Sequence, residues 1–389
     1  RLDSVGGSLG LKDLPNLKSL NGLRNLKKVG DNMAIYDLLT IDIAGGAFVS
    51  LAHVGGELSV PSRFYSQENS FTKLRYIGSF NPFGDVMGFK SLQIIGGNLN
   101  LYSVTDHSTA FEHIEEIGRL RISNTELLSL NIFKQLKTIN SGLYIEQNSL
   151  LKNLDGLSSL IEVGGKILIN SNYKLSDFQG LNSIESIGGD FSITSTQMQG
   201  NDNLFQSLKS IGGSVSFASI NNYNDTIIYD SICFLNNLES IGGSFNLSNF
   251  NNIHSINALN HLRHIDGNVS FGYLKGVENI YCFSNLEIVN GNFAVSSLSE
   301  VSNFSDMNNI HTINGDFRIS SNDNLQTLFD VNHLHYIGGR LQVIGNENLV
   351  DFCGFSNVIL NAQIEEGIHI YENEYNPKIE DFENGDCSL

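Results

Sequence analysis

Apolar residues recur along this chain at a spacing close to 24 residues. Each repeat opens with an isoleucine or valine anchor that begins a phrase of the type I-G-G-x-L-x-I. The anchors are Val5, Val29, Val54, Ile77, Ile95, Ile117, Ile139, Val163, Ile187, Ile211, Ile241, Ile265, Val289, Ile313 and Ile337. A period of about 20 to 50 residues indicates a solenoid, because one repeat cannot bury its apolar face without neighbours.

Residues 158–181 show what one coil contains. Ile167 and Ile169 alternate with Lys166 and Leu168, and this alternation predicts a short strand with one buried face. A polar corner follows, and apolar residues then return to the core. A coil of this length cannot hold a long helix, so we expect brief 3-10 segments on the return side.

The repeats therefore predict one parallel β-solenoid domain over residues 1–389, with about fifteen coils. The period is irregular between residues 37 and 95, and we expect distorted coils there. Six extra residues before Ile241 predict an inserted loop at about 218–232. Residues 347–389 lie beyond the last regular repeat and are expected to form a C-terminal cap.

Two positions within the repeat indicate local structure. The position after the anchor is Gly in eleven coils and Asn or Asp in the other four, which predicts a left-handed turn, because these residues tolerate positive φ. Asparagines recur three residues after the last core residue of a strand, where their side chains can bond open backbone groups. These corner asparagines are Asn148, Asn172, Asn322 and Asn346.

The four cysteines are too few for a disulfide scaffold in a chain of 389 residues. Cys353 and Cys387 both lie in the terminal segment, and we expect a disulfide between them to close the end of the core. Cys233 and Cys282 lie two coils apart, roughly 9 to 10 Å at the usual strand spacing. Since a disulfide needs Cα atoms within about 7 Å, we expect these two to be buried thiols.

The full pattern, L-x-x-I-G-G-x-L-x-I-x-x-N-x-x-L-x-x-L-x-G-L, resembles the leucine-rich-repeat family and most closely its receptor L-domain-like branch. Residues 351–354, 375–377 and 384–387 are similar to the closing module of leucine-rich surface proteins secreted by anaerobic gut bacteria. The resemblance implies a right-handed parallel β-coil, exported to the cell surface, that binds a partner without performing chemistry. The chain has no Trp and no Cys-rich module, so its likeness to animal growth-factor receptors is one of architecture.

Charge narrows the classes of partner. The net charge is −18, and no Lys/Arg block is longer than residues 24–28, which argues against DNA or RNA as a ligand. No apolar run approaches the roughly 18 residues that span a bilayer, so we expect no transmembrane segment. The chain opens inside a repeat without a charged leader. The resemblance to leucine-rich surface proteins implies an extracellular or cell-surface location. We expect that a targeting segment, with or without a lipid anchor, has been removed from this chain.

The outward strand positions carry the candidate chemistry. No pair of carboxylates lines up among them, which counts against a polysaccharide-degrading β-helix enzyme. Aromatic and cationic side chains cluster on neighbouring strands, and such residues dominate binding hot spots. These candidate ligand-binding residues are Tyr102, Arg119, Arg121, Tyr144 and Lys166.

The sequence thus favours a non-enzymatic module that binds a protein or a glycan through the exposed sheet face and protruding loops. Two alternatives stay open, a parallel β-helix enzyme that degrades polysaccharide and a passive surface spacer. We expect no cofactor. His311 and His335 lie 24 residues apart, and the neighbouring repeats carry Glu287 and Arg263 at the same position. We expect two surface histidines there and no metal site.

Overall fold

The computed structural model describes residues 2–36, 38, 48–198, 203–220, 229–251, 253–304 and 307–389. These residues form a parallel β-solenoid with a spacing of about 24 residues, few helices and short 3-10 turns, which confirms the predicted fold class. The solenoid has about 14 turns, close to the fifteen coils expected. The chain divides into two compact units, Arg1–Ile184 and Glu185–Leu389.

The first unit contains eleven strands in the part of the chain that the structure describes. They are β1 (Ser4–Val5), β2 (Leu9–Leu11), β3 (Lys28–Val29), β4 (Met33–Ile35), β5 (His53–Ser59), β6 (Tyr76–Phe80), β7 (Ile94–Tyr102), β8 (Glu116–Ser123), β9 (Thr138–Glu146), β10 (Glu162–Val163) and β11 (Ile167–Asn170). Within this unit, strands of successive coils pair in parallel, so that the anchor residues lie side by side, as in Ile95–Ile117–Ile139. Helix α1 (Ser62–Tyr65) and 3-10 turns at Asn21–Leu23, Asn131–Phe133, Asp155–Leu157 and Gln179–Leu181 complete the coils.

The second unit continues the strand numbering from its first anchor. Its main sheet has anchor strands β12 (Ser186–Ile187), β15 (Ser210–Ile211), β18 (Ser240–Ile241), β21 (His264–Ile265), β24 (Ile288–Val289), β26 (Thr312–Ile313) and β28 (Tyr336–Ile337). Beside them run β13 (Phe191–Thr196), β16 (Val215–Ile220), β19 (Phe245–Asn251), β22 (Val269–Lys275), β25 (Phe293–Ser296), β27 (Phe317–Ser320), β29 (Arg340–Ile344) and β30 (Gly367–Tyr371). A second parallel sheet joins β14 (Asn203–Leu204), β17 (Tyr229–Phe234), β20 (Ile253–Ala258) and β23 (Asn279–Tyr281).

The region expected as a C-terminal cap contains β30, which pairs with β29 and so adds one more strand to the sheet. The 3-10 turns Phe329–Val331 and Cys353–Phe355 and the helices α2 (Ser356–Leu360) and α3 (Ile379–Asn384) belong to the same end of this unit. The Cys353 and Cys387 sulfurs form a disulfide with a Cα–Cα distance of 5.0 Å. Cys233 and Cys282 are both thiols, as expected. Cys282 is buried, but the expected burial of Cys233 is wrong, because its side chain is only half-buried.

Phenylalanine rings pack along the core of each unit. In the first unit the Phe71 ring packs against Phe48 and Phe89, with centroid distances of 5.4 and 5.2 Å. In the second unit the Phe293 ring contacts Phe283 and Phe317 at 5.5 and 5.4 Å. These rings fill the space inside successive coils, and their burial supplies much of the hydrophobic stabilisation.

The paired glycines after each anchor serve close backbone approach, so the predicted left-handed turn at this position is wrong. None of the described glycines in these pairs has a positive φ. A Cβ at Gly212 or Gly242 would instead overlap the backbone carbonyl of the glycine one coil earlier. Eleven coils carry glycine at this position, where neighbouring coils stack closely on one another. The four coils with Asn or Asp there have no positive φ either.

A row of side-chain hydrogen-bond acceptors explains why the second residue after the anchor is glycine. It also explains why the residue that follows this glycine often has a side-chain oxygen. In the second unit each acceptor takes a hydrogen bond from the backbone N–H at the same position of the next coil, as in Asp316 N to Asn292 Oδ1 at 2.8 Å. This acceptor ladder consists of Asp190, Ser214, Ser244, Asn268, Asn292 and Asp316. A Cβ on the second glycine, such as Gly315, would overlap the acceptor before it. Glycine and acceptor are therefore required together.

Most of the left-handed residues outside glycine lie at the corner that follows a strand of the main sheet. Gln147, Ser171, Ser297 and Ser321 each have φ of 57° and each comes directly before the corner position. Tyr273 has the same φ although a bulky residue pays more strain there. The residue directly before the corner position thus turns the chain out of the strand, and the residue after the anchor does not.

The corner asparagines are fully buried and hydrogen-bonded from coil to coil. In the first unit the Asn148 N–H donates to Asn172 Oδ1 at 2.9 Å. In the second unit the Asn322 N–H donates to Asn346 Oδ1 and the Asn346 N–H to Asn373 Oδ1, both at 3.0 Å. Asn373, which the repeat pattern does not identify, therefore extends this ladder by one coil.

The expected irregular coils between residues 37 and 95 are described in part, because residues 37 and 39–47 lie outside the described residues. In the remainder the strand register shifts between Val54 and Glu57 and again between Ile77 and Phe80. Similar shifts continue as far as Arg119. Of the expected loop at 218–232, residues 221–228 also lie outside the described part. The prediction is wrong for its two ends, because residues 218–220 belong to β16 and residues 229–232 to β17.

Candidate binding surface

Three long neighbouring strands, β7, β8 and β9, position the outward side chains of the candidate surface. Their inward residues alternate with them and are fully buried, for example Leu120 and Ile122 on β8. The register places Asn100 beside Arg121 and Arg121 beside Tyr144. Side chains on one face of adjacent parallel strands lie about 5 Å apart, so residues from three coils meet. We call Tyr102, Arg119, Arg121, Tyr144 and Lys166 the cationic surface.

Tyr144 lies between two cations. The Arg119 guanidinium carbon and the Lys166 ammonium nitrogen each lie 5.2 Å from the centroid of the Tyr144 ring. Arg119 comes from the preceding coil, where it pairs with Gly142, and Lys166 comes from the following coil. A cation over an aromatic face gains about 0.5 to 1 kcal/mol at exposed sites. The ring therefore holds two positive charges in fixed positions.

Gly142 makes this arrangement possible. It lies in the strand column between Arg119 and Lys166, and the Tyr144 ring leans over it. A Cβ at Gly142 would lie 3.0 Å from Tyr144 Cε2 and 3.0 Å from the Lys166 carbonyl oxygen. Because glycine has no side chain, the ring can occupy the gap between the two cations.

Arg121 forms an ion pair with a residue that the sequence pattern did not single out. Its Nη2 lies 3.0 Å from Glu146 Oε2, and the side chains are 45% and 19% exposed respectively. Glu146 is therefore the more enclosed partner, while the guanidinium keeps an exposed side. Such a partly exposed pair contributes modestly to stability, at about 0.2 to 1 kcal/mol.

An exposed aromatic residue adjoins Tyr102. Phe83 is 71% exposed and forms an isolated parallel bridge with Tyr102. The Tyr65 hydroxyl fixes the Phe83 backbone, since it accepts from the Phe83 N–H at 3.1 Å. The Gly84 N–H donates to the Tyr102 carbonyl at 3.1 Å and closes the turn. Phe83 thus extends the surface with a large apolar group held beside Tyr102.

A shallow cleft of about 230 Å³ lies over this region. Its lining residues are Asn98, Asn100, Tyr102, Arg119, Arg121 and Tyr144. Asn98 is fixed by a hydrogen bond from its backbone N–H to Ser79 Oγ at 3.0 Å. The Asn100 side-chain amide donates to Asn81 Oδ1, and Asn81 in turn donates to Glu57 Oε1 at 3.1 Å. The cleft therefore combines cations, amides and aromatic rings.

The cleft includes four of the five predicted residues, and Lys166 joins them through its contact with Tyr144. The surface is positively charged within a chain of net charge −18, with three cations close to one enclosed carboxylate. Phe83, Gly142 and Glu146 were missed by the sequence analysis. Counted from the anchor Ile77, Phe83 occupies the last apolar position of the phrase, and the register shift between Ile77 and Phe80 places it beside Tyr102. The contributions of Gly142 and Glu146 also depend on the strand register.

The outward positions of the second unit differ from the cationic surface. On β13, β16, β19, β22 and β25 they are Ser192, Ser216, Asn246, Ser270 and Ala294. These side chains are small, and most are polar. The same column continues on β27, β29 and β30 as Arg318, Gln342 and His369. The cationic surface differs from the five small positions in carrying two cations over one aromatic ring.

Within the described ranges, no group of three or more His, Cys, Asp or Glu side chains is placed to hold a metal ion. In the same residues, none of the helices has the length and hydrophobicity needed to span a bilayer.

No protein-family model matches the chain, and no curated protein shows significant sequence similarity to it.

Proposed function

We propose that this chain is a non-enzymatic binding module of the cell surface, which recognises a protein or glycan partner through the cationic surface. The observation that carries the proposal is the Tyr144 ring between Arg119 and Lys166. A cluster of ordered cations on an acidic protein attracts a partner of opposite charge and sets its orientation.

The character of the groups supports binding over catalysis. Arg and Tyr side chains bury large areas and make directional hydrogen bonds, and they are enriched at binding hot spots. The carboxylate at the surface, Glu146, is already paired with Arg121 at 3.0 Å. General acid–base chemistry would need titratable groups that converge on a reacting atom. The proposed module therefore holds its partner and leaves it chemically unchanged.

An extracellular location belongs to the same proposal. Disulfides form and persist in oxidising environments, and Cys353 and Cys387 are joined in this way. We also propose that the chain belongs to the receptor L-domain-like branch of the leucine-rich-repeat family. The spacing of about 24 residues and the hydrogen-bonded corner asparagines support this assignment.

A binding screen tests the proposal. The purified chain is applied to glycan arrays and to a panel of extracellular proteins, alongside Arg121→Ala/Tyr144→Ala. The matched control is Arg263→Ala/Tyr281→Ala, since Arg263 pairs with Glu287 at 2.9 Å and Tyr281 is 41% exposed. A partner lost in the first variant and kept in the control supports the proposal. A partner kept by both variants refutes the site, and no partner at all favours a passive spacer.

A further inference from the structure

The spacing of the cations indicates what kind of ligand fits. Arg119 and Lys166 lie on coils two strand spacings apart, roughly 10 Å. Arg121 lies on the same strand as Arg119, two residues further along. A single small anion contacts one of these charges, whereas a polymer with regularly spaced acidic groups contacts several at once.

The backbone N–H and C=O groups of the strands at this surface already form hydrogen bonds with neighbouring strands. Strands β7, β8 and β9 pair in parallel with neighbours through Asn100–Arg121 and Arg121–Tyr144. A bound peptide presents an N–H and a C=O at every residue, and sheets recognise peptides through a free edge. The middle of this sheet offers side chains only, which favours a ligand whose own hydrogen-bonding groups are hydroxyls and acids.

Carbohydrate has these properties. Sugar hydroxyls both donate and accept, so they match the amides of Asn98 and Asn100 and the N–H groups of the guanidinium groups. Phe83 and Tyr102 supply flat apolar surface beside these polar groups. The C–H face of a pyranose ring packs on such a surface, because aromatic side chains bury large areas at little entropic cost.

The contact between Glu146 and Arg121 indicates that a carboxylate is the acidic group of a ligand that fits beside Arg121. The Glu146 carboxylate lies 3.0 Å from Arg121 Nη2, the contact that a sugar carboxylate would make. We propose that the cationic surface binds a polysaccharide that contains uronic acids, with a sugar carboxylate replacing Glu146 on Arg121. This inference rests on the proposed function and adds the ligand class. Glu146 then acts as an internal competitor that weakens binding.

The first experiment compares three probes by titration calorimetry. They are galacturonate oligosaccharides, the same oligosaccharides fully methyl-esterified, and oligoglutamate of matched charge. The free acid is expected to bind at least about tenfold more tightly than either of the others, since the ester removes the charge and oligoglutamate removes the ring. The affinity is expected to fall as salt is added, because exposed charges are screened.

The second experiment uses variants against the free acid. Glu146→Gln is expected to raise the affinity by up to about fivefold, because it removes the competing charge while keeping the side-chain shape. The matched control is Glu287→Gln, which removes a carboxylate from the Arg263 pair in the other unit and should leave the affinity unchanged. Phe83→Ala is expected to weaken binding at every salt concentration.

Distinct results would overturn the inference. Equal binding of the ester or of oligoglutamate refutes recognition of a uronate sugar, and these two probes need no variant to fold. An unchanged or lower affinity in Glu146→Gln refutes competition by Glu146. If uronates fail while a protein partner depends on Arg121 and Tyr144, the ligand class is wrong and the proposed function stands. If no partner depends on Arg121 and Tyr144, the proposed ligand class and the proposed function are both wrong.

Discussion

The Tyr144 ring lies over Gly142, and an added Cβ at that glycine would come within 3.0 Å of the ring edge. The ring can hold Arg119 and Lys166 at 5.2 Å only because this column of the sheet has a gap. A residue without a side chain is thus a determinant of the surface, although it contributes no group to a ligand. Gly142 acts through position, because the space above it determines where the charges of Arg119 and Lys166 lie.

Gly142→Ala is therefore expected to displace the ring and separate the two cations. The expected stability loss is about 1 kcal/mol from overpacking, and partner binding should weaken by roughly three- to tenfold. Thermal unfolding and titration with a partner measure the two effects. Gly10→Ala is the control, because a Cβ at Gly10 meets nothing within 4 Å. Unchanged binding in Gly142→Ala would show that the ring position is irrelevant.

The acceptor ladder gives a second expectation. Asn292→Ala removes the acceptor of the Asp316 N–H and should cost about 1 kcal/mol. Asn292→Ser should recover most of the loss, because Ser244 already accepts the Asn268 N–H at 3.0 Å in a neighbouring coil. The urea midpoint measures both variants. A midpoint as low for Ser as for Ala would argue that packing of the amide matters and its hydrogen bond does not.

The stability of the fold is expected to depend on pH through the carboxyl group of Asp330. Burial raises its pKa, a hydrogen bond from the Phe304 backbone opposes the rise, and the nearby Asp351 charge adds to it. Because the folded-state pKa lies above the unfolded value, the folded state gains stability as the pH falls through that pKa and loses it as the pH rises. Asp330→Asn should therefore raise the urea midpoint at neutral pH and match the wild type at about pH 3.

The same variant can contradict this account. An Asn side chain still accepts the hydrogen bond from Phe304, so the change removes mainly the charge. A lower midpoint at neutral pH would mean that the ionised carboxylate stabilises the fold, and the burial argument would be wrong.

The disulfide closes a long segment, since its cysteines are 34 residues apart in sequence. Cys353→Ser/Cys387→Ser is expected to lower the free energy of unfolding by about 3 to 4 kcal/mol, because the open chain regains loop entropy. A reductant should lower the melting temperature of the wild type and leave that of the double variant unchanged. Equal melting of the wild type with and without reductant would contradict a stabilising role.

Strand positions were predictable from the sequence because their periodicity has one physical cause. Ile167 and Ile169 alternate with outward residues, and both are fully buried on β11. The corner asparagines were predictable for a similar reason, since a buried amide that recurs at a corner indicates hydrogen bonds to the backbone there. The link between Cys353 and Cys387 followed from their shared place beyond the last repeat.

Other features depended on contacts between coils that the sequence does not display. Glycine suits both positive φ and close approach, so Gly212 was read as a turn residue although its role is to leave room for Gly188. The pairing of Gly213 with the Asp190 side chain joins residues on different coils. Glu146 became part of the surface only when its distance to Arg121 was known.

The most direct measurement is the dissociation constant of the first identified partner for the wild type and Arg121→Ala/Tyr144→Ala, with Arg263→Ala/Tyr281→Ala as control. A binding module that uses the cationic surface predicts at least about a tenfold loss in the first variant, because hot-spot truncations cost about 2 kcal/mol or more. The control should bind like the wild type. Equal affinities in all three proteins would contradict the assignment of this surface as the binding site.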